Sequence, residues 1–217
     1  MESKPKGAFD VQAFLDSAGV ARKVVAYRRG EVIFAQGDAC ENVLYIQKGG
    51  VKLSVLSATG REAVVGLRGP GDFFGEGCLA GQSARVGSAT AITASRILHV
   101  DKARMVRLLH KQHALSDRFI THMLARNIRI EEDLVDQLFN PSEKRLARKL
   151  LLLAQYGKEA GPQTDVLRIS QETLGAIIGA TRARVNFFMK KFQRLGFINY
   201  KDGLKVNATL LTVVLHH

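Results

Sequence analysis

The spacing of apolar residues changes along this chain, and the changes divide it. Residues 9–20, FDVQAFLDSAGV, carry Phe9, Val11, Phe14 and Leu15 and predict a short helix. From about Val24 to His99 the apolar residues fall in short runs: VVAY, VIFAQ, VLYIQ, VKLSVL, AVVGL, SATAI and ILHV. Glycines at 30, 37, 49, 50, 60, 66, 69, 71, 75, 77, 81 and 87 punctuate them. Many short β-rich runs closed by turns predict an antiparallel jelly roll or barrel. At about Lys102 the spacing becomes helical. ARMVRLLHKQ reads as a short helix, and a long one follows over residues 115–138.

In the long helix Ile120, Met123, Asn127, Ile130 and Leu134 form a stripe, widened by Leu124, Ile128, Val135 and Leu138. One flank can pack on the barrel and the other on a second copy, as in a parallel coiled coil. The alternative is a helix buried wholly against its own barrel. Asn127 within the stripe is placed to fix register. Asn140-Pro141 breaks the helix. SEKRLARKLLLLAQYG then forms another, ended by Gly157, with the loop KEAGPQT after it.

Residues 169–192, ISQETLGAIIGATRARVNFFMKKF, read as two short helices around a turn. Leu174, Ile177 and Ile178 line one side of the first. Gly179 suits a helix end at positive φ, and Thr181 suits the N-cap of the second. Val185, Phe188, Met189 and Phe192 face inward. Gly175 leaves room for a close crossing, and the spacing is that of a helix-turn-helix. The outward face shows Arg182, Arg184, Asn186 and Lys190, with no acid in residues 181–192. Arginine pairs with guanine, asparagine with adenine and lysine with phosphate, so this face suits the major groove of double-stranded DNA. A solvated basic helix in some other small domain is the plain alternative. Ser170 and Gln171, opening the first helix, and Thr181, opening the second, are further candidate DNA contacts. GFINYKDGLKV reads as a hairpin turning at Asp202-Gly203, a wing that places Lys201 and Lys205 near phosphate.

The expected class is α+β. Residues 1–20 form an N-terminal helical segment, 21–114 an antiparallel β jelly-roll or barrel, 115–140 a dimerisation helix and 141–217 a winged helix-turn-helix.

Charge sharpens this division. The net charge is +12. Residues 141–217 hold 13 Lys and Arg against 5 Asp and Glu, a balance of +8; residues 1–140 hold 19 against 15, a balance of +4. The excess lies with the helix-turn-helix, the footprint of a polyanionic partner. No apolar run approaches the ~20 residues of a membrane span, and the polar start MESKPKGAFD has no apolar core of a signal peptide. The expected location is the cytoplasm, with no membrane partner. Cys40 and Cys78 are too few for a disulfide framework or structural zinc site. Cys40, in the turn GDACEN, is expected to be an exposed, inert thiol, with redox sensing the alternative. Cys78 is expected to be packed. His110, His113 and His122 have no metal-site spacing and read as solvated; no metal is expected.

The order of glycine-rich barrel, long dimer helix and winged helix-turn-helix resembles the CRP/FNR family of bacterial transcription regulators across nearly the whole chain. GDFFGEGCLAG at residues 71–81 followed by Arg85, and the helix-turn-helix itself, carry the likeness. The resemblance implies a homodimer on a palindromic promoter site, contact with RNA polymerase, and in many members a signal received by the barrel. The family's cyclic-nucleotide members use a Gly-Glu pair on the ribose, matched by Gly75 and Glu76, and an Arg-Ser or Arg-Thr pair on the phosphate. Here Arg85 is followed by Val86, which has no hydroxyl. The cyclic-AMP type adds a Thr-Ser pair from the long helix, where this chain has Ile130 and Glu131. Arg126 falls where that type also has arginine. Three missing hydroxyls at ~1 kcal/mol each weaken binding about a hundredfold. Cyclic nucleotide binding is therefore disfavoured as an expectation, and Glu76 and Arg85 have a second reading as barrel architecture, the arginine paired to an acid. The family's iron–sulfur and haem sensors are not expected: the first 39 residues hold no cysteine and residues 1–98 no histidine.

The family's DNA code also differs. Where the cyclic-AMP type shows Arg, Glu and a second Arg, this chain has Arg182, Ala183 and Phe187. The oxygen-sensor positions read Ala183 and Asn186-Phe187. A different half-site is expected, with Arg182 on guanine, Asn186 as a second base reader and Arg184 on base or backbone. The function expected is that of a dimeric, non-enzymatic transcription regulator; neither a P-loop nor a nucleophile elbow occurs. The alternatives are a regulator that binds cyclic AMP through Glu76 and Arg85, and a nonspecific architectural DNA-binding protein.

Overall fold

The computed structural model describes residues 23–158, 169–199 and 204–215. The expected N-terminal helix, most of the KEAGPQT loop, Lys201 and the Asp202-Gly203 turn lie outside the described residues. The chain divides into two compact units, one of residues 1–61 with 65–128 and one of residues 62–64 with 129–217.

The first unit is built on two four-stranded sheets. One runs in the order β1 (Lys23–Tyr27), β8 (Ser95–Asp101), β3 (Asn42–Lys48), β6 (Phe73–Phe74). The other runs β2 (Val32–Phe34), β7 (Ser88–Ala91), β4 (Val51–Leu56), β5 (Glu62–Arg68). The β1–β8, β3–β8, β3–β6, β2–β7 and β4–β7 pairs are antiparallel, with Tyr45 opposite Leu98 in the β3–β8 register. Every β run of the sequence reading corresponds to a strand. The two-residue β6 and the 3-10 turn at Glu76–Ala80 had no periodicity to announce them.

The central strand β3 shows why its run is unbroken by polar residues. Alternate residues of a strand point to opposite faces, so a strand covered on both sides is apolar throughout. Leu44 and Ile46 join Val51, Phe74, Ala89 and Ile97 in one core. Val43 and Tyr45 join Cys40, Phe73, Leu98 and Val100 in another, closed by Met105, Leu115 and Phe119 from two helices. Those helices are α1 (Lys102–Lys111) and the start of α2 (His113–Phe139).

α2 splits the predicted stripe. Met123 packs against the barrel core with Leu115 and Phe119, and so leaves the outer face. Ile120, Leu124, Asn127, Ile128, Ile130, Leu134, Val135 and Leu138 are exposed. The reason is geometric: Leu115, Phe119 and Met123 stand four apart on one line of the helix, while Ile120 and Leu124 lie on the next.

The second unit takes the C-terminal end of α2, then α3 (Ser142–Lys158), α4 (Gln171–Ile178), α5 (Arg182–Arg194), β9 (Ile198–Asn199), β10 (Lys205–Val206) and α6 (Leu211–Leu215). The expected stop at Gly157 is passed by one residue, since α3 runs to Lys158. Leu146, Ala147, Leu150 and Leu153 of α3 are buried, as are Leu174 and Ile178 of α4 and Val185, Phe188, Met189 and Phe192 of α5. α3 packs against α4, α5 and α6. β9 and β10 pair antiparallel, the expected wing. α2 is tied to α3 by polar contacts. Buried Asp136 pairs with Arg148 at 2.8 Å and accepts from Asn140 Nδ2 at 2.7 Å; Lys149 pairs with Asp133. The terminal α6 was not foreseen: LTVVL is too short for its period to be read.

Candidate nucleic-acid interface and barrel pocket

The helix-turn-helix is assembled by local chemistry. Ser170 caps α4, its Oγ accepting from Thr173 N at 3.0 Å. Thr181 caps α5, its Oγ1 accepting from Arg184 N at 3.3 Å. Gly179 ends α4 at φ 63°, the left-handed region that favours glycine. Gly175 is required for a reason other than the expected helix crossing. A Cβ there would stand 2.6 Å from Ala180 O, so the tight approach is to the turn's own backbone.

The outer face of α5 is open. Arg182, Ala183, Phe187 and Lys190 are exposed and Asn186 is half-buried. Arg182, Asn186 and Lys190 have no hydrogen-bond or ion-pair partner among the described residues. Arg184 differs: its Nε donates to Ser142 Oγ at 3.1 Å and its guanidinium lies 5.7 Å from the Phe188 ring. Lys191 is bound to Glu143 at 2.8 Å. Residues 182, 186 and 190 therefore share one line with their donors free, while Arg184 leans onto the body of its unit. Exposed Lys205 lies on the wing strand β10; exposed Ser170 has its hydroxyl engaged in the cap, and Gln171 beside it is half-buried.

The barrel unit gathers four of the predicted pocket residues. Gly75, at φ 72°, turns the chain into the 3-10 turn that carries Glu76. Its carbonyl accepts from Arg85 Nη1 at 2.7 Å, and Cys78 Sγ approaches it at 3.7 Å. Arg85 Nη2 donates to Asn42 O at 2.9 Å and Asn42 Oδ1 at 2.8 Å, and the guanidinium stacks 4.3 Å from the Phe34 ring centroid. Arg85 is only 5% exposed. The expectation that it pairs with an acid is corrected: its partners are carbonyl and amide oxygens, because the neighbouring Glu76 is taken by Arg126.

Burial pushes the Glu76 carboxyl up, but the hydrogen bond and charge of Arg126, with Arg68 beyond, outweigh it and hold its pKa below the usual value. Glu76 Oε2 is buried without a partner among the described residues, so it can accept a ligand hydroxyl. At Arg85 a phosphate would compete with Gly75 O and Asn42 for Nη1 and Nη2, while the buried Nε has no partner among the described residues. Val86 is 66% exposed and offers no hydroxyl. Exposed Ile130 and Glu131 belong to the second unit. A cyclic nucleotide thus meets a free acceptor at Glu76 and an arginine already engaged.

Two further expectations are corrected. Cys40 is buried at 5% exposure. An Ala39–Ala84 bridge and the Cys40 N to Ser83 O bond at 2.8 Å hold the exposed turn so that the Cys40 side chain enters the core, its Sγ 3.9 Å from Gly75 O. Cys78 is fully buried as expected, and burial pushes its thiol pKa up. His122 is half-buried rather than solvated, 3.6 Å from Asp72 and edge-on to Phe73 at 6.0 Å; His110 and His113 are exposed. Among the described residues no group of three or more His, Cys, Asp or Glu is placed to hold a metal ion. No helix among them is long and apolar enough to cross a membrane.

Comparison with known proteins agrees with this geometry. The family described as "Cyclic nucleotide-binding domain" matches residues 24–112, and "Crp-like helix-turn-helix domain" matches residues 144–209. A "CRP-like cAMP-activated global transcriptional regulator" of Mycobacterium tuberculosis is 30% identical over 176 residues, 80% of this chain and 79% of that protein. The "Cyclic AMP receptor protein" of Thermus thermophilus is 28% identical, covering 82% and 80%. Among solved structures, the c-di-GMP responsive global regulator CLP of Xanthomonas campestris shares the fold at a TM-score of 0.75. Its identity is 20%, over 90% of this chain and 98% of that one. The chain belongs to the CRP family of transcription regulators, with a cyclic nucleotide-binding-type barrel and a DNA-binding helix-turn-helix. It is a regulator and not an enzyme.

Proposed function

We propose that this regulator acts as a homodimer on an inverted-repeat promoter site and that the free dimer is already competent to bind. The open face of α5, with Arg182, Asn186 and Lys190 free, carries the reading. It presents base-reading and phosphate-binding groups together on a helix capped and braced by its own unit. Arg182 is assigned to a guanine, Asn186 to a second base, and Arg184, Lys190, Ser170, Gln171, Lys201 and Lys205 to backbone positioning. The exposed apolar residues Ile120, Leu124, Ile128, Leu134, Val135 and Leu138 of α2 support self-association, since a row of this length seldom faces water in a monomer. Residues 21–114 form the sensor barrel, 115–140 the dimer helix and 141–217 the DNA reader, working in the cytoplasm with RNA polymerase as partner.

Cyclic-AMP-independent action is favoured by Arg85, whose Nη1 and Nη2 already donate to Gly75 and Asn42, although its buried Nε has no partner among the described residues. A second reading, cyclic-AMP control, has its own support in the partnerless Glu76 Oε2 and in relatives named as cAMP-activated. Selection of binding sites from random DNA, run with and without cyclic AMP, tests both. An inverted repeat recovered without ligand supports the first reading; recovery only with cyclic AMP replaces it by the second. Calorimetry with cyclic AMP and cyclic GMP gives the same decision, low-micromolar binding favouring the second. Sequence-independent binding, with less than about a thousandfold preference for any site, makes the protein an architectural one instead.

A further inference from the structure

Phe187 stands on the basic face of α5 with 61% of its surface exposed, a large aromatic among cations and amides. It does not belong to the core of its unit, which takes Val185, Phe188, Met189 and Phe192 from the same helix. Ala183, one turn earlier on the same line, is also exposed. Together they make a short apolar strip beside the line of Arg182, Asn186 and Lys190. The Phe187 ring meets buried Phe188 edge-on, at a centroid distance of 5.6 Å and an angle of 67°.

We infer that Phe187 reads a thymine C5-methyl group in each half-site of the DNA. The inference rests on α5 entering the major groove as proposed above. Within that groove the thymine methyl is the apolar feature of the base edges, and phenylalanine is among the side chains that contact it. The charge around the ring favours this occupant over an apolar protein surface. Arg182 and Lys190 flank it without partners, and residues 181–192 contain no acid, so the surroundings suit a polyanion.

The test uses the full chain and the site recovered by selection. Each thymine of the half-site is replaced in turn by deoxyuridine, which keeps the pairing edge and removes only the methyl. At one thymine per half-site the wild-type protein loses about fourfold in affinity, the factor for one buried methyl, and about fifteenfold when both half-sites are changed. Phe187→Ala binds the thymine site more weakly and shows no further loss on the deoxyuridine site. Phe187→Leu, still apolar, keeps part of the discrimination. Equal losses in wild type and Phe187→Ala, or no sensitive thymine, overturn the role of Phe187 while leaving DNA recognition by α5 intact. Failure to select any site overturns both.

Discussion

In the barrel unit Arg85 is buried, and both of its terminal nitrogens end on oxygens of the barrel itself, while Arg126 ends on Glu76. In the helix-turn-helix unit Arg182 and Lys190 are exposed and bind nothing among the described residues. A buried guanidinium needs oxygens close by, because an unpaired charge away from water costs more than a domain's whole margin of stability. Arg85 has them at Nη1 and Nη2, and its Nε is left without a partner among the described residues. An exposed one is satisfied by water and can exchange that water for a phosphate or a base. Charge by itself therefore does not mark a ligand site. The same residue type is architecture in one unit and a reading head in the other, and burial with existing partners decides which.

The largest effect is expected from Arg85→Met, which takes the guanidinium donors from the carbonyls of Gly75 and Asn42 and leaves Gly75 O only the weak thiol donors of Cys78 and Cys40. Chemical denaturation should show a loss of about 3 kcal/mol, from roughly 1–3 kcal/mol per orphaned buried group. A loss well under 1 kcal/mol would mean that Arg85 is held ready for a ligand and not used as a clamp. Gly75→Ala follows at about 2 kcal/mol. The left-handed backbone costs roughly 1–2 kcal/mol, and the new Cβ would meet Arg85 Nη1 at 2.6 Å and Leu44 Cδ1 at 2.7 Å. Gly60→Ala, also at positive φ but with nothing within 4 Å, is the control and should show only the backbone cost.

On the open side of the comparison, Arg182→Ala should leave the melting temperature unchanged. It should reduce affinity for the selected site by ~1–3 kcal/mol and relax preference at one base pair, read by competition binding across site variants. A uniform loss over all sequences would make Arg182 a phosphate contact. Thr181→Ala removes the cap of α5 and should lower stability by about 1 kcal/mol, lowering DNA affinity only as far as the unit loosens.

The pH dependence is the finest distinction. Burial, then Lys23 and Arg85, hold the His99 pKa below its ordinary value, with Tyr27 Oη 3.1 Å from Nε2. A pKa depressed in the folded state means that the unfolded chain takes the proton first. Stability is then full above the ordinary histidine pKa and is lost as pH falls from there through the folded value. Histidine NMR titration and denaturation across that window should show both. A His99 that titrates at the ordinary value would remove His99 as a source of acid sensitivity.

What the sequence by itself determined is local. Period two against period three or four separated strands from helices. The caps Ser170 and Thr181, the left-handed Gly179 and the inward row Val185, Phe188, Met189 and Phe192 needed only spacing, because each depends on residues within a turn or two. The acid-free face of α5 was equally visible. Tertiary structure decided the rest, because it depends on distant residues. Arg85 finds Asn42 across 43 positions, and Cys40, its N held by Ser83 O, puts its side chain into the core. The turn of Met123 to the barrel separated one flank of α2 from the other. Spacing had already turned Phe188 and Met189 inward and set Phe187 at a DNA-reading position, since a helix carrying adjacent phenylalanines cannot bury both on one face. The tertiary structure decided how far out its ring stands, 61% exposed beside the buried Phe188.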